Sequence, residues 1–257
     1  MVLRYMRYRM RAGTAYDVHS PHVYTFIHDI LEDSRHFYAF DEIEQLRHAL
    51  LADKRTVHVT DFGAGSRVLH ADTRSIRSIA RNTLITPKFG RLLFYLVDQM
   101  QPARILEMGT SLGISTLYLA KAAEHAHVIT LEGSTAIAQV AEQNFERSGV
   151  SNIRCITGEF LETLPVALQQ LGTVDLAFID GNHRKEPTLS YFEAILPYTH
   201  EQTLFVFDDI HWSKDMEGAW NTICAHPKTT CTLDLFFKGI VYVDHSFREK
   251  QHFTLSY

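Results

Sequence analysis

Across 257 residues the chain carries 25 Lys and Arg against 30 Asp and Glu, a formal charge of −5, with 46% hydrophobic and 21% charged residues. That balance excludes a disordered or collagen-like chain. It also leaves no broad basic face for neutralising nucleic-acid phosphates. A chain of this size buries roughly 70–75% of its unfolded surface, so it reads as one α/β domain with an N-terminal appendage.

The first eleven residues gather Arg4, Arg7, Arg9 and Arg11 among Tyr and Met. No apolar run suited to a signal-peptide core follows them. No stretch approaches the ~18–20 apolar residues of a membrane span. The segment is read as a solvated start to a helical extension. Residues 17–52 continue it as helix. Val23, Phe26, Ile27, Ile30 and Leu31 share one face after Ser20-Pro21, and Ile43, Leu46, Leu50 and Leu51 repeat the helical spacing. Residues 53–75 predict a long loop or partial strand, residues 75–82 a short helix. After Pro87, the run Leu92 to Val97 predicts a helix leading into the main sheet.

From residue 104 the pattern becomes strand–helix alternation. Strands are predicted at Arg104–Met108, His127–Leu131, Ile153–Thr157, Val174–Ile179 and Thr203–Phe207, and helices over 114–124, 134–148, 161–171, 186–196 and 214–225. This alternation predicts parallel strands with crossover helices on both faces. Three tail runs, at 231–236, 239–243 and 252–256, predict a closing antiparallel edge. Cys155, Cys224 and Cys231 are odd in number and form no Cys-x-x-Cys pair. They fit a reducing, cytoplasmic compartment and give no zinc site. The fifteen histidines are scattered, and most read as surface or capping residues.

Two glycine loops compete for a ligand. Asp61-Phe62-Gly63-Ala64-Gly65-Ser66 leads into Arg67 to Arg74, with no strand and no acid in place beyond it. It is read as a turn in the extension; the alternative is that it folds over the ligand pocket. The second loop, Glu107-Met108-Gly109-Thr110-Ser111-Leu112-Gly113-Ile114-Ser115, follows a strand and opens a helix. Such a loop lets backbone approach a ligand and aims helix amides at negative charge. The next strand ends in Glu132, 132 − 107 = 25 residues on, where a carboxylate can take both hydroxyls of a ribose.

Residues 105–120, Ile105-Leu106-Glu107-Met108-Gly109-Thr110-Ser111-Leu112-Gly113-Ile114-Ser115-Thr116-Leu117-Tyr118-Leu119-Ala120, resemble motif I of class I S-adenosylmethionine-dependent methyltransferases. The resemblance is to the catechol/caffeoyl-CoA O-methyltransferase-like group and its bacterial relatives, and it covers roughly residues 86–243. Thr86-Pro87-Lys88-Phe89-Gly90-Arg91-Leu92-Leu93 also resembles that group's lead-in. The resemblance implies a Rossmann-like seven-stranded, mostly parallel sheet in a methyltransferase domain over residues 86–257, with residues 1–85 as a helical extension. It implies that Glu107 and Gly109, with Thr110 and Ser111 of the same loop, hold the methionine part of S-adenosyl-L-methionine. Ser115 would bind the carboxylate and Glu132 the ribose. Glu159 would accept from the adenine amine and Phe160 would pack on its ring; plain core packing of Phe160 is an equal alternative.

Asp180 follows one predicted strand, and Asp208 and Asp209 follow the next. At adjacent strand ends, three carboxylates repel one another unless a cation or protons neutralise them. Hard oxygen ligands suit Mg²⁺, Ca²⁺ or Mn²⁺, and a chelated ion could template a substrate with vicinal oxygens. The resembled group uses a comparable trio, with Asn at the third position. By the same resemblance Asp180 also joins the cofactor contacts, and His183 stands where catechol-type relatives place a lysine base. The competing readings are an Asp208 or Asp209 helix cap and a loop histidine. His211 and Trp212 would line the acceptor pocket.

The expected function is therefore O-methylation of a small-molecule acceptor, assisted by a divalent cation, with Mg²⁺ favoured. The extension would cover the acceptor pocket or build a homodimer interface. No nucleic-acid or membrane partner is expected. A nicotinamide-dependent oxidoreductase is the first alternative, disfavoured because Glu107 would face a pyrophosphate. A cofactor-binding protein without catalysis is the second. RNA or protein methylation is disfavoured by the charge and by the lack of an Asn/Asp-Pro-Pro-aromatic motif.

Overall fold

A computed structural model describes residues 1–59, 73–243, 247 and 249–257. The Asp61–Ser66 loop lies outside the described residues. In chain order the first elements are α1 (Val2–Arg11), α2 (Pro21–Phe26, continued by a π turn at Ile27–Leu31), α3 (Tyr38–Ala52), β1 (Thr56–His58), β2 (Thr73–Ser75), α4 (Ile76–Thr83) and α5 (Pro87–Met100). Then come β3 (Arg104–Met108), α6 (Ile114–Ala122), β4 (His127–Glu132), α7 (Thr135–Arg147), β5 (Ile153–Thr157) and α8 (Phe160–Leu171). The rest are β6 (Leu176–Ile179), α9 (Lys185–Ile195), β7 (Leu204–Asp208), α10 (Lys214–Ala225), β8 (Cys231–Asp234), β9 (Lys238–Tyr242) and β10 (Gln251–Thr254). They form two compact units: Asp33–Ala167, and Met1–Glu32 together with Leu168–Tyr257.

In the first unit, β3, β4 and β5 are parallel neighbours, with Glu107 opposite Thr130. Ile105, Leu106, Val128 and Ile129 are fully buried, as expected of parallel strands covered on both faces. Every residue of α6 from Ile114 to Ala120 is buried, so this helix needs a cover of its own. α3 and α5 supply it. Gly90 of α5 lies so close to α6 that an added Cβ would sit 2.3 Å from the Tyr118 ring. Phe40 of α3 packs 5.9 Å from the same ring, and the Tyr118 hydroxyl donates to Glu44 Oε1 at 2.8 Å. Burying rings of this kind contributes roughly 1.5–3 kcal/mol apiece. Along α3 the inward stripe is Phe40, Ile43, Arg47 and Leu50. Arg47 replaces the expected Leu46 because Glu44, one turn back, neutralises it at 2.9 Å.

The other unit runs β10–β8–β9–β7–β6. β6 and β7 are parallel, and β9 is antiparallel to both β7 and β8. β10 is parallel to β8, which corrects the wholly antiparallel edge expected for the tail. Alternation within residues 252–256 reports which face is covered, but it is silent on strand direction. Counting both units, the described residues give eight such strands in place of the expected seven; β10 is the addition. The mostly parallel, Rossmann-like α/β fold read from the sequence is otherwise as expected, and all eight strands of the sheet match their predicted bounds within two residues. The N-terminal helix α1 is not simply solvated. Tyr8 is 5% exposed, packs 5.2 Å from Phe236 and donates its hydroxyl to the Leu255 carbonyl.

Candidate functional site

The turn after β3 is built by backbone that only a few residues tolerate. Gly109, Ser111 and Gly113 all have positive φ, at 107°, 47° and 85°. The Gly109 and Thr110 amides donate to the Leu131 carbonyl of β4 at 2.9 and 3.1 Å, tying the loop to the strand end. Gly113 then caps α6, and a Cβ there would meet the Phe145 ring at 2.5 Å.

Beneath this loop lies a buried polar chain. Glu107 is fully buried. Its Oε2 accepts from Thr116 Oγ1 and from Thr130 Oγ1, the latter at 2.7 Å. Thr130 in turn meets Thr110 Oγ1 at 2.6 Å. Burial pushes the Glu107 carboxyl up to about 7, against the hydrogen bonds from Ser115, Thr116 and Thr130. Oε1 is buried without a hydrogen-bond partner among the described residues, an acceptor ready for a ligand donor. The Ser115 hydroxyl points to Glu107. Cys155 ends the chain 3.9 Å from Thr110; burial holds its thiol up at about 12, so it is an inert packing residue.

Glu132 ends β4 with each carboxylate oxygen pinned. Oε2 accepts the Ser111 amide at 2.9 Å and Oε1 the Ser134 amide at 3.0 Å. A cavity of about 150 Å³ opens beside it, lined by Ser111, Glu132, Ile137, Arg74, Asn82 and Thr83 among others. It is smaller than the ~300 Å³ at the low end of ligand pockets. Thr83 Oγ1 of α4 meets Ser111 Oγ at 2.6 Å across its rim. α4 therefore joins the site, a contact that sequence reasoning missed. Glu159 is exposed and Phe160 half-buried. The Glu159 carbonyl accepts from the Glu162 and Thr163 amides, so its backbone starts α8.

The second cluster belongs to the other unit. Asp180 follows β6, Asp208 ends β7, and Asp209 follows in a left-handed conformation at φ 52°. Asn182 and His183 are also left-handed, at 67° and 29°. Such strain persists where the surroundings fix it, often at functional positions. The three carboxylates do converge. Asp180 and Asp208 share a hydrogen bond, and His183 Nε2 lies 3.5 Å from Asp180 Oδ1.

A side chain the sequence reading did not single out completes this group. Lys238, 3% exposed, pairs its ammonium with Asp208 Oδ1. Burial, and then the neighbouring Asp208, raise Asp180 well above the usual carboxylate range. Burial also lifts Asp209 to about 6. For Asp208, burial opposes the charge, but the neighbouring Lys238, His183 and the hydrogen bonds to the carboxylate together outweigh it and hold the carboxyl low. Among the described residues no group of three or more His, Cys, Asp or Glu is arranged to hold a metal ion. The signal for Lys238 was a lone lysine opening an apolar strand. His211 has both ring nitrogens engaged, by Glu217 at 3.2 Å and Asp234 at 2.8 Å, and Trp212 is 50% exposed.

Residues 106–210 match the family described as a methyltransferase domain. The chain is 34% identical over 129 residues to a catechol O-methyltransferase of Niastella koreensis, covering 49% of this chain and 58% of that protein. It is 33% identical over 128 residues to a catechol O-methyltransferase of Mycobacterium tuberculosis, covering 49% and 56%. The chain thus spans little more than half the length of these relatives. The fold is shared with an O-methyltransferase from Bacillus cereus in complex with SAH, at TM-score 0.58 and 22% identity over 86% of this chain and 97% of that one. It is also shared with TomG from Streptomyces achromogenes in complex with SAM, at TM-score 0.55 and 18% identity over 84% and 92%. These similarities bear out the resemblance read from residues 105–120.

Proposed function

We propose that the chain is an S-adenosylmethionine-dependent O-methyltransferase acting on a small-molecule hydroxyl. One observation carries the reading: the left-handed glycine loop after β3 delivers the Ser111 amide to Glu132, fixing a carboxylate at the end of the next strand for a ribose. The buried, unpartnered Glu107 Oε1 supports it as an acceptor for the methionine amine.

Bound S-adenosylmethionine supplies an electrophilic methyl group on a sulfonium. Glu107 and the Gly109–Ser111 backbone hold its methionine part, Ser115 its carboxylate and Glu132 its ribose. Glu159 and Phe160 serve the adenine. The protein then needs to orient an acceptor oxygen and receive its proton. His183, beside Asp180, is the proposed base, and Asp180 orients it.

The divalent ion implied by the resemblance does not fit the carboxylates as they stand. Asp208 Oδ1 is engaged by Lys238, and Asp180 and Asp208 share a hydrogen bond. The expectation of vicinal oxygens on the acceptor rests on that ion. Residues 86–257 are taken as the methyltransferase domain and 1–85 as its extension. Val2, Leu3, Met6 and Met10 are exposed on α1, which supports a homodimer. The three free cysteines support a cytoplasmic setting. No helix among the described residues is long and apolar enough to cross a membrane.

Calorimetry with S-adenosylhomocysteine, with NAD as the comparison ligand, tests the reading. Saturable binding of the nucleoside, lost in Glu132→Ala, is expected. Absence of that binding in the folded wild-type protein, or preference for NAD, would sink it.

A further inference from the structure

Three carboxylates meet at the ends of β6 and β7, yet the charge that offsets them is already part of the chain. Lys238 opens β9 and stands directly opposite Asp208 in the antiparallel β7–β9 ladder. That register holds its stem beside Asp208 on the sheet, and its side chain is only 4% exposed. The ammonium lies 5.6 Å from the centre of the Phe178 ring, a second stabilising contact for a buried cation.

Asp208 Oδ1 has no room for another positive partner. It accepts from Lys238 Nζ and also from the Asp209 amide, the latter at 2.7 Å. The Asp209 amide is fixed there because it donates as well to the Phe237 carbonyl at 2.7 Å, in a turn that holds Asp209 left-handed. Both lone pairs of that oxygen are therefore used by nitrogen donors. A divalent ion bound by this trio would have to evict the lysine or lie against its ammonium, where like charges at close range repel.

We propose that Lys238 is the resident cation of the carboxylate cluster, so that the cluster binds no divalent ion and the acceptor is handled without one. The inference rests on the methyltransferase reading for its meaning in catalysis. It deepens that reading, because an acceptor that is not chelated needs to present only a single hydroxyl. Lys238 acts here as a positioning residue: it keeps Asp208 ionised and its carboxylate oriented, and it leaves Asp180 and His183 to face the acceptor proton.

Direct Mn²⁺ titration followed by electron paramagnetic resonance decides the point, using the full-length chain freed of metal. This readout is independent of activity, and calorimetry with S-adenosylhomocysteine on the same sample reports separately on the methyltransferase reading. The wild-type protein is expected to show no saturable Mn²⁺ binding at micromolar concentration. Lys238→Met is expected to gain a site about tenfold tighter or more than any in the wild type, and Asp208→Asn in that background to remove it. The proposal is overturned if wild-type protein binds one Mn²⁺ per chain at micromolar concentration and Asp208→Asn abolishes it. It is overturned equally if Lys238→Met folds, by circular dichroism, and gains no Mn²⁺ site. Should Lys238→Met fail to fold, the wild-type and Asp208→Asn titrations decide alone: micromolar binding lost in Asp208→Asn overturns the proposal, and its absence upholds it.

Discussion

Thr130 faces Glu107 across the β3–β4 ladder and donates a 2.7 Å hydrogen bond to its buried Oε2. Burial lifts that carboxyl from its ordinary value of 4.5 to about 7, against the hydrogen bonds from Ser115, Thr116 and Thr130. The folded protein therefore binds this proton more tightly than the unfolded chain. Between those two values the native state holds more protons, so stability falls as pH rises through that window. The effect is on the order of 3 kcal/mol. Scanning calorimetry of ligand-free protein from pH 5 to 8 should show a declining Tm. Glu107→Gln, neutral throughout, should flatten the decline and weaken S-adenosylhomocysteine binding.

Gly113→Ala should be among the most damaging single changes in the loop. Residue 113 has φ 85°, and the new methyl would lie 2.5 Å from the Phe145 ring. Left-handed backbone costs a non-glycine residue about 1–2 kcal/mol, and overpacking adds about 1–3 kcal/mol. Urea unfolding should register a loss of roughly 2–5 kcal/mol. Adding Phe145→Leu should restore the packing part and leave the backbone part. A loss below about 1 kcal/mol for Gly113→Ala would contradict this account.

Much of this was readable from spacing alone. β3 begins and ends where its apolar run predicted, because a strand buried on both faces leaves an uninterrupted signal; β5, at the sheet edge with Arg154 and Thr157 exposed, was bounded by its alternation instead. The glycine loop was readable because its turn demands residues free of a Cβ. Thr116 and Thr130 were not: a threonine in a buried helix or strand looks like filler until the register sets it against a carboxylate. Lys238 was hidden for the same reason, since only the β7–β9 pairing puts it opposite Asp208. The direction of β10 and the Thr83–Ser111 contact depend on long-range placement, which local periodicity does not encode.

Thr83→Val tests whether α4 organises the loop. The substitution keeps the shape and removes the 2.6 Å contact with Ser111 Oγ. A hydrogen bond of this kind is worth about 0.5–1.5 kcal/mol, so the affinity for S-adenosylhomocysteine should fall about two- to tenfold. Calorimetry on both proteins gives the comparison, and an affinity equal to wild type would mean that the contact is incidental to binding.

The attachment of α1 should depend on pH through His211. Its ring nitrogens face Glu217 and Asp234, and Arg4 of α1 joins the group by pairing with Glu217 at 3.1 Å. The ring also stacks on Phe236 at 5.1 Å, the side chain that packs on Tyr5 and Tyr8 of α1. Burial alone would lower the His211 pKa, but Asp234 and then Glu217 outweigh it and raise the pKa above 6.5. A raised histidine contributes stability that is complete below its unfolded value and is lost as pH rises through the folded one. Above that point Glu217 and Asp234 lose their shared cation, and the stacked His211–Phe236 surface on which Tyr5 and Tyr8 of α1 pack is held less firmly. Hydrogen-exchange protection of residues 2–11, corrected for intrinsic rates, should therefore be greater at pH 6 than at pH 9. His211→Gln should remove most of the difference, and equal protection at both pH values in the wild-type protein would refute the coupling.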